Sequence, residues 1–129
     1  VGILAWGSTA GVVREAVEGM AAEGYPVAAL VPAVINPLPT DRILEFTAHL
    51  KTVIVPEINR TGQFAAWVKA QTELHLISLN KYGGLPFTPQ EIRAKALESL
   101  EAERQVPSQP AKPQESVPAA EAAKEVAHD

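Results

Sequence analysis

Apolar positions along this chain follow two alternating rhythms. Short unbroken runs at Gly2–Ala5, Val27–Val31, Thr52–Val55 and Leu74–Leu79 have the length and aliphatic content of strands buried on both faces. Between them apolar residues recur every three or four positions, the spacing of a helix with one buried stripe. Val13, Ala16, Val17, Met20 and Ala21 make the first such stripe, Ile43, Phe46, Thr47 and Leu50 the second, and Phe64, Trp67, Val68 and Gln71 the third. Strand and helix in regular succession predict an α/β domain of three layers, α/β/α, around a mainly parallel sheet, because parallel neighbours need a crossover connection.

Polar and conformationally special residues set the boundaries. The first helix is expected from about Ala10 to Glu23, with Gly24 suited to the left-handed residue that ends a helix. Three prolines in Pro32–Pro39 make that stretch an extended connection, after which Thr40 is read as the cap of a helix reaching about Leu50. The third helix is placed at Gly62–Thr72. Thr88-Pro89-Gln90-Glu91 combines a capping hydroxyl, a proline at the first helical position and a reciprocal carboxylate, which predicts a helix start. The stripe Ile92, Ala96, Leu100 is narrow, and implies that this last helix lies at an edge and frays into a tail beyond Arg104.

Right-handed crossovers give the strand order 2-1-3-4, with the reversal between the first and third strands. Both of those strands run into polar, small-residue turns: Gly7-Ser8-Thr9 after the first, and Glu57-Ile58-Asn59 through Gly62 and Gln63 after the third. Brought together, they would form two sides of one crevice. Gly7, Ser8 and Thr9 would offer amides and hydroxyls to an anion or a partner's carboxylate, or Ser8 and Thr9 would simply cap the helix. Glu57, at the end of a Val-Ile-Val strand, needs a partner or backbone donors. It would either tie down the following turn or serve a contact surface. On the second reading, its replacement would harm the activity of a larger assembly more than domain stability. Asn80 and Lys81 open another polar loop at a strand's carboxyl end, with Lys81 as a cation placed for a partner or phosphate.

Composition removes many kinds of chemistry. Of the 129 residues 47% are apolar and 20% charged, and the size fits one domain, with a core over residues 1–104. The net charge of -4 and the lack of a Lys/Arg run argue against nucleic acid as a partner. No apolar run approaches the ~20 residues of a membrane span. The chain has no cysteine, so disulfides, thiolate zinc sites and cysteine-ligated clusters cannot be built from it. His49, His75 and His128 are too dispersed for a metal site, and no serine has the setting of a hydrolase nucleophile. Residues 105–129 hold four prolines, no aromatic residue and no leucine, which predicts a disordered Pro/Ala-rich tail in which Ala119–Lys124 forms at most a marginal helix. The strand-like start at Val1 suggests a piece of a longer cytoplasmic protein.

Four spaced motifs carry a family resemblance. Trp6-Gly7-Ser8-Thr9, Asn36-Pro37-Leu38-Pro39, Val55–Gln63 and Asn80–Pro89 together resemble the alpha subunit of 2-oxoacid:ferredoxin oxidoreductases, nearest to the 2-oxoglutarate type, over about residues 1–93. The resemblance implies a transketolase C-terminal-like domain, whose usual antiparallel edge strand would precede Val1. It further implies membership of a complex that uses thiamine diphosphate, magnesium and iron-sulfur clusters to convert a 2-oxoacid and coenzyme A into acyl-CoA and CO2, reducing ferredoxin. None of these cofactors is expected to be bound by this chain alone. Its expected partners are the other domains of the alpha subunit and a beta subunit, with ferredoxin met indirectly. Gly7, Ser8, Thr9, Glu57, Asn59, Gly62, Gln63, Asn80 and Lys81 then become an interface. The competing reading is a freestanding α/β module that binds an anionic ligand at Gly7-Ser8-Thr9.

Overall fold

The computed structural model describes residues 1–106. Strands β1 (Gly2–Leu4), β2 (Ala28–Leu30), β3 (Val53–Glu57) and β4 (Ile77–Asn80) form one sheet in the order β2-β1-β3-β4, and every neighbouring pair is parallel. This is the predicted order. The chain leaves β1 to one side for β2, then crosses back to the other side for β3, so the carboxyl ends of β1 and β3 flank the reversal.

Side chains alternate across the pleat and build a core on each face. Ile3, Ala5 and Ile54 pack with Val13 and Met20 of α1 (Ala10–Ala22) and with Ile92 and Ala96 of α4 (Pro89–Gln105). Leu4, Val53 and Val55 point the other way, to Ile43 of α2 (Thr40–Thr47) and to Phe64 and Val68 of α3 (Gln63–Thr72). The result is the three-layer α/β/α arrangement.

Local chemistry sets most helix ends as predicted. Gly24 takes φ +86° after α1, and its amide donates to Ala21 O at 2.9 Å. At α4, Thr88 Oγ1 accepts from Glu91 N at 3.3 Å while Glu91 Oε2 accepts from Thr88 N at 2.8 Å, closing both halves of the box.

Several expectations are corrected. Thr40 already lies inside α2, whose start has no side-chain cap. That helix closes at Thr47 rather than Leu50: Thr47 Oγ1 turns back onto Ile43 O at 2.9 Å, and Leu50 N bonds to Thr47 O in a turn that feeds β3. β4 begins at Ile77 instead of Leu74, because Glu73 ends α3 in the left-handed region at φ 56° and Leu74–Leu76 span the gap. His75 therefore sits in a connection. On α3, Ala65 replaces Trp67 in the buried stripe, and Trp67 and Gln71 are exposed.

α4 lies beside α1 in its layer and is well packed, burying Ile92, Ala96, Ser99 and Leu100. Arg93 ties it to the end of α1 through two hydrogen bonds to the Glu23 carboxylate, Nη1 donating to Oε1 at 2.8 Å and Nη2 to Oε2, and stacks over Tyr25. The tail expected from Gln105 lies outside the described residues from position 107 onward, as do the Ala119–Lys124 helix and His128. No helix among the described residues is long and apolar enough to cross a membrane.

Candidate functional site

The two polar turns are neighbours. Trp6–Thr9 on one side and Pro56–Asn59 on the other line a crevice of about 280 Å³ at the carboxyl ends of β1 and β3. Gly7 enters its turn at φ +59°, and Gly7–Thr9 makes a single 3₁₀ turn that leads into α1. Neither hydroxyl caps α1, in contrast to one sequence expectation. Thr9 is buried and donates its hydroxyl to Trp6 O at 2.7 Å, whereas Ser8 is exposed at the crevice.

Glu57 is only 1% exposed, and its carboxylate locks the opposite turn. Oε1 accepts from Phe64 N at 2.7 Å and from Asn59 Nδ2 at 3.0 Å, and Oε2 accepts from Ala65 N at 3.0 Å. A charged acceptor thus satisfies main-chain donors that the first turn of α3 leaves without helical partners. Asn59 continues the lock: its Oδ1 accepts from Gly62 N at 2.6 Å and from Thr61 N at 3.1 Å, with a longer contact to Gln63 N at 3.4 Å. Gly62 closes the turn at φ +64°, where an added Cβ would stand 3.3 Å from Ser78 Oγ and 3.4 Å from Asn80 Nδ2. A left-handed residue with that little room favours glycine. Of the two roles read for Glu57 in the sequence, these bonds belong to the turn-holding one, and they give its loss a direct cost in stability.

Asn80 and Lys81 join the same assembly from β4. Asn80 Nδ2 donates to Arg60 O at 3.2 Å, and Lys81 N donates to Glu57 O at 3.0 Å. The Lys81 ammonium is already engaged, with Pro86 O and Glu91 Oε1 each at 2.8 Å and the Phe87 ring centroid at 5.7 Å. Lys81 therefore fastens its own loop to the start of α4. Its hydrogen bond to Glu91, with that from Thr88 N, holds the Glu91 carboxyl below the usual carboxylate range. A carboxyl depressed on folding adds stability that is present above its unfolded pKa and lost as pH falls through the folded one. The Glu91 side-chain carbon resonance is therefore expected to titrate below that of a free glutamate, and Lys81→Ala should move it back up.

The donors available do not fit the iron-sulfur clusters or the magnesium that the sequence resemblance implied. A cysteine-free chain has no thiolate for an iron-sulfur cluster. Among the described residues no three His, Cys, Asp or Glu side chains gather. Glu57, the carboxylate of the crevice lining, has both oxygens bonded to protein donors, so it offers no ready ligand to a metal-diphosphate group.

One feature of the site escaped the sequence reading. Of the eight large apolar side chains exposed among the described residues, Trp6, Val34, Ile58, Trp67, Tyr82 and Leu85 all belong to the carboxyl-end turns or the first turns of α3, leaving only Leu44 and Val106 elsewhere. Trp6 leans on Phe64 with ring centroids 5.9 Å apart, and Trp67 Nε1 donates to Ile35 O at 3.0 Å. Between these aromatics lies a second depression of about 250 Å³, rimmed by Asn36 and Gln63. The available signal was a tryptophan placed directly after a strand and an isoleucine set between Glu57 and Asn59.

Residues 1–92 match the family described as pyruvate:ferredoxin oxidoreductase core domain II. A solved structure, the 2-oxoglutarate:ferredoxin oxidoreductase from Magnetococcus marinus with 2-oxoglutarate, coenzyme A and succinyl-CoA bound, superimposes with a TM-score of 0.75 at 43% sequence identity. The similarity covers 77% of this chain and 17% of that one. No curated protein matches the chain. The four motifs, the matched residues and the shared architecture agree, and the chain belongs to the pyruvate:ferredoxin oxidoreductase core domain II family.

Proposed function

We propose that this domain is a structural, non-catalytic part of a cytoplasmic, thiamine-diphosphate-dependent 2-oxoacid:ferredoxin oxidoreductase, with 2-oxoglutarate as the 2-oxoacid. In that reading the parent enzyme converts the 2-oxoacid and coenzyme A to acyl-CoA and CO2 and reduces ferredoxin, while other domains and a beta subunit hold thiamine diphosphate, magnesium and the iron-sulfur clusters. This domain contributes a docking face at the carboxyl end of its sheet. Gly7, Ser8, Asn59, Gln63 and Asn80 supply its polar contacts, and Glu57, Gly62 and Lys81 hold its loops in shape.

The observation that carries the reading is the concentration of exposed apolar side chains on that one face. Such a patch rimmed by polar groups is the usual mark of a contact surface. In the full-length enzyme, Ile58→Asp is expected to reduce assembly and 2-oxoglutarate-dependent ferredoxin reduction about tenfold or more, the scale of a central contact residue. Normal assembly and activity would leave the docking face without support.

The crevice beside Gly7-Ser8-Thr9 favours a second reading, an anion-binding module. Titration with phosphate, thiamine diphosphate or coenzyme A, followed through the amide resonances of Gly7, Ser8 and Thr9, separates the two. Saturable shifts there would point to a ligand site.

A further inference from the structure

Arg60 lies in the turn between β3 and α3 and is exposed at the docking face. Among the described residues it forms no ion pair, while Lys81, the cation of the neighbouring β4 loop, is held by Glu91. Its backbone is fixed by the bond from Asn80 Nδ2 to its carbonyl, and by the Glu57 and Asn59 bonds on either side of it. Its guanidinium lies 5.9 Å from the centroid of the Tyr82 ring. The carboxylates of Glu57 and Glu91 are engaged elsewhere, Glu57 within the turn and Glu91 on Lys81.

We infer that Arg60 is the charged anchor of this face, and that its occupant is a surface of the parent enzyme, outside residues 1–129, that presents a carboxylate among apolar side chains. The inference rests on the docking reading above. Charge complementarity identifies the counter-group: on a chain of net charge -4, this turn offers an unpaired guanidinium to whatever covers it. The exposed Ile58, Tyr82 and Leu85 call for apolar neighbours, and arginine and tyrosine are enriched among the residues that dominate protein contacts. A small free anion fits less well, because Arg60 lines neither the crevice nor the aromatic depression.

The test uses the assembled full-length enzyme carrying Arg60→Lys, treated with a zero-length carbodiimide that couples an amine only to a carboxylate in contact with it. Mass spectrometry is expected to find the introduced amine joined to an Asp or Glu outside residues 1–129, with Trp6 and Trp67 protected from oxidative footprinting. Protected tryptophans without such a cross-link, or with one only to an acid of this chain, would overturn the role of Arg60 and leave the docking face standing. Freely oxidised tryptophans without a cross-link would overturn both.

Discussion

Glu57→Ala is expected to lower the unfolding free energy of the chain by about 3 kcal/mol, because it strips a buried charged acceptor from donors that have no substitute. The amides of Phe64 and Ala65 and the Asn59 carboxamide all lose their partner, in a place from which solvent is almost excluded. Glu57→Gln separates shape from charge. It keeps the volume and one acceptor, yet turns an N–H₂ group toward one of the backbone donors, so a loss of about 1–2 kcal/mol is expected. Urea unfolding of the intact chain measures both. A Glu57→Ala variant as stable as the parent would mean that the three bonds do not form in solution. If they do form, the damage spreads to function through geometry: the turn that bears Ile58 and Arg60 loses its inner support, and the docking face loses its shape along with stability.

The contrast between Glu57 and Lys81 explains what the sequence could and could not disclose. Glu57 is legible because its situation is local: a carboxylate closing an apolar strand, followed by a short small-residue turn and a helix, has few donors within reach other than the first amides of that helix. Lys81 is different. Its partner, Glu91, lies across a loop whose path is set by β4 and α4 together, so spacing alone left the ammonium available when in the fold it is taken. The strand order was readable because crossover handedness leaves few arrangements, and the helix ends at Gly24 and Thr88 because they rest on single-residue chemistry. Trp67 was misread because a helical spacing shared by Phe64, Trp67 and Val68 does not say where the buried stripe stops. The sheet below decides that, and it selects Ala65 instead. The docking face was hidden for a related reason: its residues are scattered from Trp6 to Leu85 and meet only when the four strands are side by side.

Ile92→Ala is expected to cost about 3 kcal/mol, the usual effect of emptying an aliphatic side chain's space in a packed core. The narrow stripe of α4 suggested a peripheral helix, for which such a change would matter little. In the fold Ile92 is 1% exposed and packs in one cluster with Ile3 and Ala5 of the sheet, Val13 and Ala16 of α1, and Phe87 of the preceding loop. The stripe is narrow because Ala96 is completely buried, and a small residue there lets the helix sit close with little apolar surface of its own. Leu97, five residues on and only partly buried, is the internal comparison, with about 1 kcal/mol expected on replacement by alanine. Denaturant unfolding of both variants decides the matter, since a helix lying at the edge would make the two losses equal and small. A large loss at Ile92 would also explain why the loop from Lys81 to Phe87 can be held so firmly: the Lys81–Glu91 pair fastens it to the first turn of a helix that the core itself keeps in place.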